Sequence, residues 1–150
     1  MANTLAAIAA SLSAAVSLLA LVIGPIITRR AEQQKWIRDA LTEGVDRFLE
    51  ASFESSTGIG RRARARAAGD TAAVEEYDRD AKEAYAQMRS LLTRVRLLGG
   101  AELGSAASVL REYQRAAYDA DDAAGPTALA AVSDQRKVVL ALAMRQLGSA

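Results

Sequence analysis

The sequence predicts an all-α protein, with an N-terminal transmembrane helix followed by an antiparallel four-helix bundle. Residues 1–28 carry no charged side chain, although a quarter of the 150 residues are charged. Beyond them, apolar residues recur at three- and four-residue intervals, which is typical of packed amphipathic helices. Two prolines and ten glycines leave long stretches for helices, and 5 % aromatic residues are too few for a typical β-sandwich. We expect an anchor over 1–28 and a helical domain over 29–150.

The membrane segment is the uncharged apolar stretch over 5–27. At about 1.5 Å per residue it spans roughly 34 Å, enough for a hydrocarbon core of about 30 Å. A cleaved signal peptide is an alternative, but it requires a basic start and an apolar run of only about 7–15 residues. A buried core helix is another. We therefore predict a retained transmembrane helix.

Basic residues directly after this segment predict its orientation. The N-terminal side carries no charged side chain, so the positive-inside rule places the N-terminus outside the cell and the C-terminal domain in the cytoplasm. The predicted location is the cell membrane. The residues that determine this topology are Arg29, Arg30, Lys35 and Arg38.

Small residues recur every four positions within the apolar segment. Such faces let helices approach closely in lipid and favour self-association. Chance spacing in an alanine-rich chain is the alternative interpretation. The two neighbouring lines of small residues are Ala6, Ala10 and Ala14, and Ala7, Ser11 and Ala15.

Glycine-containing turns divide the remaining chain into four predicted helices. The first begins at 29 and ends near 57 if Gly58–Gly60 breaks it, or near 68 if it continues. The other three helices are predicted over 70–98, 101–123 and 126–147. Gly69 and Asp70 predict a tight turn, with Asp70 as the N-cap of the second helix. Short connections favour antiparallel neighbours.

The second helix carries the most regular pattern. Its apolar residues are spaced 3,4,3,4,3,4,3, which predicts that Met88 and Leu91 are buried and that Arg89 is exposed. The third helix repeats this spacing and includes Tyr113 among the predicted core positions. The heptad positions of the second helix are Val74, Tyr77, Ala81, Ala84, Met88, Leu91, Val95 and Leu98.

Trp36, the single tryptophan, has two interpretations. It extends the apolar stripe of Ile37 and Ala40, which favours a place in the bundle core. Because it follows the basic residues after the apolar segment, it is also a candidate anchor at the membrane interface. We favour the core position.

Three segments give the chain a resemblance to a known group of proteins. They are TRRAEQQKWIRDAL after the apolar span, RVRLLGGAELGSAA at the second turn, and ALAMRQLG near the end. With them the chain resembles small actinobacterial single-pass membrane proteins. The resemblance implies an N-terminal anchor and a helical cytoplasmic domain, and it implies no activity and no functional residue.

The composition excludes several kinds of chemistry. With no cysteine and no histidine, the chain has no disulfide, no thiol nucleophile, no Cys/His zinc site and no Ser-His-Asp triad. The glycine-rich stretches at 58–63 and 99–105 lack the preceding strand of nucleotide-binding motifs. The acidic stretch from 119 lacks the ligand spacing of a calcium loop. We predict no cofactor, no metal and no enzymatic activity.

Four arginines lie within six residues at Arg61, Arg62, Arg64 and Arg66. They form a candidate patch for nucleic acid or an acidic protein. Alternatively, they pair with Glu75, Glu76 and Asp80 across the following turn. A net charge of +1 and the lack of interleaved aromatics argue against a dedicated nucleic-acid binder.

These observations predict a non-enzymatic single-pass membrane protein whose bundle is an interaction or scaffolding module. The expected partners are the lipid bilayer, further copies of the chain and an unidentified protein. One alternative is a membrane-perturbing effector that oligomerises through its transmembrane helix. A less favoured alternative is a membrane tether for nucleic acid or an acidic partner.

Overall fold

The computed structural model is helical throughout the residues it describes, which confirms the all-α class. It describes the backbone of residues 2–121 and 123–148, and the side chains of 32–121 and 123–148. Its helices are α1 (Ala2–Ala67), α2 (Thr71–Leu98), α3 (Gly100–Asp119) and α4 (Gly125–Gly148). The chain divides into two units, Met1–Arg38 and Asp39–Ala150, and the four-helix bundle lies in the second.

Several predicted features fall on residues 1–31, whose side chains lie outside the described part. They are the membrane span over 5–27, the two lines of small residues from Ala6 to Ala15, and the basic pair Arg29 and Arg30. Lys35 and Arg38 are described and both are exposed. Among the residues whose side chains the structure describes, no helix has a stretch long and apolar enough to cross a membrane.

Helix α1 continues without a break through Gly58–Gly60, which resolves the alternative left open by the sequence. A glycine inside a helix costs about 1 kcal/mol relative to alanine. At Gly58 this cost is offset by packing, because a Cβ there would lie 3.0 Å from the Cβ and 3.1 Å from the Cα of Ala81. The missing side chain therefore lets α2 approach α1 closely.

The turns explain where the helices end. Gly69 adopts a φ of +73°, and Asp70 accepts a hydrogen bond from the Ala73 amide at 3.0 Å, so the predicted turn and N-cap are confirmed. The predicted end of the third helix near 123 is wrong, because α3 ends at Asp119 and Ala120 is extended. The Asp121 carboxylate then accepts a hydrogen bond from the Ala124 amide at 2.8 Å, just before α4 begins.

The bundle core is formed by one face of each helix and is mostly aliphatic. Few aromatic side chains are buried. Buried alanines on all four helices allow the helices to pack close to one another. Its largest fully buried apolar side chains are Phe48, Met88, Val95, Leu103, Leu110, Val132 and Val139.

The heptad assignment of α2 is correct for four of its eight positions, because Val74, Tyr77, Leu91 and Leu98 are only half-buried. The four buried positions are Ala81, Ala84, Met88 and Val95. Leu92 is buried, whereas Leu91 is only half-buried against the core. An α-helix has 3.6 residues per turn, so its buried face drifts away from a strict repeat of 3.5 residues. In this helix the drift moves the core position by one residue.

Two further core predictions are wrong. Tyr113 is exposed, and the neighbouring Gln114 is fully buried in its place. Trp36 is 65 % exposed, as are all residues over 32–39, and Ala40 is the first buried residue of α1 among those whose side chains are described. The favoured core position of Trp36 is thereby excluded, while its place as an interface anchor stays a prediction.

Candidate functional site

A buried layer of neutral polar side chains crosses the middle of the bundle. Gln114 of α3 accepts a hydrogen bond from the Ser52 hydroxyl at 3.0 Å. Its amide nitrogen donates to the hydroxyls of Ser55 at 3.2 Å and Ser56 at 3.3 Å. Ser55 in turn donates to the Ala81 carbonyl of α2 at 3.2 Å. The layer therefore ties α1 to both α2 and α3 with satisfied hydrogen bonds.

Ser52 is the one member of this layer with a signal in the sequence, because it follows Leu41, Val45 and Phe48 at helical spacing. A buried hydroxyl needs a hydrogen-bond partner, so a serine at a core position requires a polar group on a facing helix. The partner, Gln114, was missed because the adjacent Tyr113 fits the heptad spacing. We assign the layer a structural role, since all four side chains hydrogen-bond to one another or to the backbone.

A second polar cluster lies near the turn between α1 and α2 and is charged. Arg62 of α1 donates to the Asp78 carboxylate of α2 at 2.7 Å and to the Tyr118 carbonyl of α3 at 2.8 Å. Its guanidinium also stacks over the Tyr118 ring, 4.6 Å from the centroid. The Tyr118 hydroxyl donates to Asp78 at 2.6 Å, and Lys82 pairs with the other carboxylate oxygen at 2.8 Å. This cluster fastens three helices together.

The cluster shifts the pKa values of Asp78, Tyr118 and Lys82. Burial by itself raises the pKa of Asp78, but the hydrogen bonds from Lys82, Tyr118 and Arg62 outweigh it and lower that pKa well below its usual range. Burial and the hydrogen bond to Asp78 raise the pKa of Tyr118. The hydrogen bond to Asp78 raises the pKa of Lys82. Asp78 is thus held ionised at every ordinary pH.

The predicted arginine patch is divided by this cluster. Arg62 is buried and belongs to the cluster, so its side chain does not join an exposed binding surface. The alternative interpretation expected pairing with Glu75, Glu76 or Asp80, but the partner of Arg62 is Asp78. Arg61 and Arg64 are exposed; Arg61 stacks on Tyr77 and Arg64 donates to the Gly60 carbonyl of its own helix. Arg66 is also exposed.

The most distinctive surface feature is a groove of about 590 Å³ between α1 and α4, here called the α1/α4 groove. Apolar side chains line its middle, with Phe53 63 % exposed and Leu140 47 % exposed. Met144, one turn beyond Leu140 on α4, is 65 % exposed. The residues that line the groove are Asp46, Leu49, Glu50, Phe53, Ser133, Arg136, Lys137 and Leu140.

Arg136 links the groove to the interior of the bundle. Its guanidinium lies 5.4 Å from the centre of the Phe53 ring and 3.5 Å from the Ser56 hydroxyl. Burial lowers the pKa of Arg136, which still leaves it charged at neutral pH. Within the described part of the chain, no carboxylate pairs with it. A partly desolvated guanidinium on an exposed aromatic ring is a common feature of protein interfaces.

A second depression lies between α1 and α2 and differs from the α1/α4 groove in its chemistry. It has a volume of about 480 Å³ and is lined mainly by polar and charged residues, including Glu54, Asp80 and Glu83. Among residues 32–121 and 123–148, no group of three or more potential metal-ligating side chains lies together. The α1/α4 groove is therefore the surface whose composition best fits a protein partner.

Comparisons with known proteins add no relative from which a function could be transferred. No protein-family model matches the chain, and neither the curated proteins nor the solved structures contain a match to it.

Proposed function

We propose that this chain is a non-enzymatic membrane-anchored interaction module. Its apolar N-terminal segment holds it in the cell membrane, with the N-terminus outside. Its four-helix bundle lies in the cytoplasm and docks protein partners through the α1/α4 groove. The observation that carries the proposal is the exposed apolar lining of this groove.

Large apolar side chains exposed side by side usually mark an interaction surface on a soluble domain. Phe53 and Met144 are each about two-thirds exposed, and Leu140, which lines the groove together with Phe53, is about half exposed. Charged residues flank this apolar strip on both helices, with Glu50 on α1 and Lys137 on α4. An apolar centre with a charged rim is the arrangement that helix-in-groove docking uses.

The anchoring part of the proposal is supported by the sequence. The stretch over 5–27 is apolar and uncharged, and Arg29 and Arg30 follow it directly. A segment of this length is sufficient to span a bilayer, and the basic pair favours a cytoplasmic C-terminal side.

Topology can be tested by cysteine labelling, because the chain has no native cysteine. We expect Asn3→Cys to react with a membrane-impermeant maleimide in intact bacterial cells, and the exposed Ala141→Cys to react only after lysis. Both variants should stay in the membrane pellet after alkaline carbonate extraction. Release of the chain by carbonate, or labelling of Ala141→Cys in intact cells, would refute the anchored topology. Adding Arg29→Ala and Arg30→Ala should give mixed labelling.

Docking through the groove can be tested with a photo-crosslinking amino acid placed at single positions. Met144, one turn of α4 beyond the groove residue Leu140, is compared with Leu97, which is 79 % exposed on α2 outside the groove. We expect discrete protein adducts from position 144 and none from position 97. Equal adducts from both positions, or none from either, would show that the groove is not a docking surface.

A further inference from the structure

The two rims of the α1/α4 groove carry opposite charges. The α1 rim presents Asp46 and Glu50, and the α4 rim presents Arg136 and Lys137, of which Lys137 also pairs with Asp134 of its own helix at 2.7 Å. A surface with one acidic and one basic edge is complementary to a second copy of itself, provided that the copies are related by the correct symmetry axis. We propose that the partner of this groove is the same groove of a second copy of this chain.

The charge pattern selects the direction of the two-fold axis. If the axis runs parallel to the helices, α1 of one copy faces α4 of the other at the same height, so acidic edges meet basic edges. If the axis runs across the helices, α1 faces α1 and like charges meet. Only the parallel axis pairs opposite charges in the wild-type chain, and pairs of like charge directly opposed are repulsive.

Heights along the groove support this pairing. The contact between Phe53 and Arg136 places these residues at the same height on the antiparallel helices α1 and α4. Glu50 is three residues from Phe53, which is about 4.5 Å along the helix axis. In the parallel arrangement, Glu50 of one copy therefore reaches Arg136 and Lys137 of the other, while Phe53, Leu140 and Met144 cover each other between the charged edges.

The same axis suits two chains held in one membrane. With the axis parallel to the helices, the Asp39 ends of both bundles lie on the same side of the dimer. This part of the inference rests on the proposed anchor. Confinement to a bilayer raises the effective concentration of the second copy, so a groove of moderate size suffices for association.

The first experiment uses full-length chains in phosphatidylcholine vesicles and a maleimide cross-linker with a reach of about 10 Å. Chains carrying Glu50→Cys are mixed with differently tagged chains carrying Lys137→Cys. We expect cross-linked dimers from this mixture and few from Glu50→Cys alone. The reverse pattern would overturn the parallel axis. Monomers from every combination would overturn the dimer.

The second experiment exchanges the charges. Glu50→Lys and Lys137→Glu should each weaken self-association by roughly tenfold, because two symmetry-related pairs change from attraction to repulsion. Mixing the two variants should restore association, since positions 50 and 137 then carry opposite charges in both facing pairs. Energy transfer between donor- and acceptor-labelled chains measures this. No recovery in the mixture would contradict the charge pairing.

A third variant guards against effects of folding. Leu140→Asp places a charge in the centre of the groove and should weaken self-association on the order of a hundredfold. Leu97→Asp is the matched control outside the groove and should associate like the wild type, and both should melt like it. If wild-type chains are monomeric in vesicles while position 144 still captures a different protein, the self-pairing is wrong and the docking function stands. Loss of vesicle binding by the wild type would refute the anchor instead.

Discussion

Helix α1 meets its two neighbours in the bundle in opposite ways. Against α2 it presents Gly58 and Ser55. Ala81 approaches Gly58 so closely that an added Cβ would lie 3.0 Å from the Ala81 Cβ and 3.1 Å from the Ala81 backbone. Against α4 it presents Leu49 and Phe53, whose bulk leaves an open groove. Small side chains thus bring α1 and α2 into close contact around Gly58, whereas large ones leave an open groove between α1 and α4.

This difference shows how one helix combines stability with recognition. The α1/α2 contact buries its residues fully and uses hydrogen bonds to fix the register. The α1/α4 groove keeps apolar area exposed, which contributes to stability only when a partner covers it. Substitutions in the two regions should therefore separate stability from association.

The largest change in stability is expected from alanine substitutions of leucines, and the loss should increase with the burial of the leucine. Leu92→Ala removes a buried side chain and should lower the free energy of unfolding by about 2–5 kcal/mol. Leu91→Ala should cost less, and Leu140→Ala in the groove no more than about 0.5 kcal/mol. Urea unfolding of the full chain in detergent, followed by circular dichroism, measures all three. A larger loss for Leu91 than for Leu92 would restore the strict heptad register.

The next effect concerns the charged cluster that closes the end of the α1/α2 contact. Asp78→Asn removes a carboxylate that accepts hydrogen bonds from Arg62 and Tyr118, and it should cost about 1.5–3 kcal/mol at pH 7. Equilibrium unfolding at pH 7 measures this cost. Asp134→Asn, which loses only an exposed pair with Lys137, is the matched control and should stay within about 0.5 kcal/mol.

The same carboxylate gives the stability a predictable pH dependence. The pKa of Asp78 is lower in the folded chain than its unfolded value near about 3.9. Its contribution is complete above that unfolded pKa and is lost as the pH falls toward the lower folded pKa. Between about pH 4 and pH 2, the wild type should lose more stability than Asp78→Asn. Parallel loss in both chains would show that the cluster does not shift this titration.

A smaller effect is expected from two alanine substitutions two residues apart in α1. Gly58→Ala should destabilise the bundle by about 1–3 kcal/mol, because its Cβ meets the backbone of Ala81. Gly60→Ala has open space around its Cβ and should stabilise by about 0.5–1 kcal/mol through helix propensity. Thermal melting of both variants compares them directly. Stabilisation by Gly58→Ala would mean that the close approach of α1 and α2 is not required.

The smallest effect on stability should come from the groove. Phe53→Ser removes an exposed aromatic ring, and we expect a change of no more than about 1 kcal/mol, part of it from the lost stacking of Arg136. Its effect on association should be much larger than its effect on melting. A variant that melts far below the wild type would place Phe53 in the core and remove the contrast between the two sides of α1.

Much of the architecture could be predicted because it depends on local features. The helical class, the turn at Gly69–Asp70 and the pair between Asp78 and Lys82 follow from spacing and capping. The core positions Ala81, Ala84, Met88 and Val95 follow from periodicity. Such features involve residues within one or two helical turns, so the sequence alone contains the information for them.

The remaining features depend on which helix lies opposite. A facing residue far away in the chain decides three of these features. They are whether α1 ends at Gly58 or continues and packs closely against α2, whether Gln114 or Tyr113 is buried, and whether Arg62 is exposed. Local sequence shows that a glycine is permissive, that a serine needs a hydrogen-bond partner and that an arginine needs a countercharge. Only the packed bundle supplies Ala81, Gln114 and Asp78 to meet those needs, because burial and close contact are properties of pairs of helices and not of either helix alone.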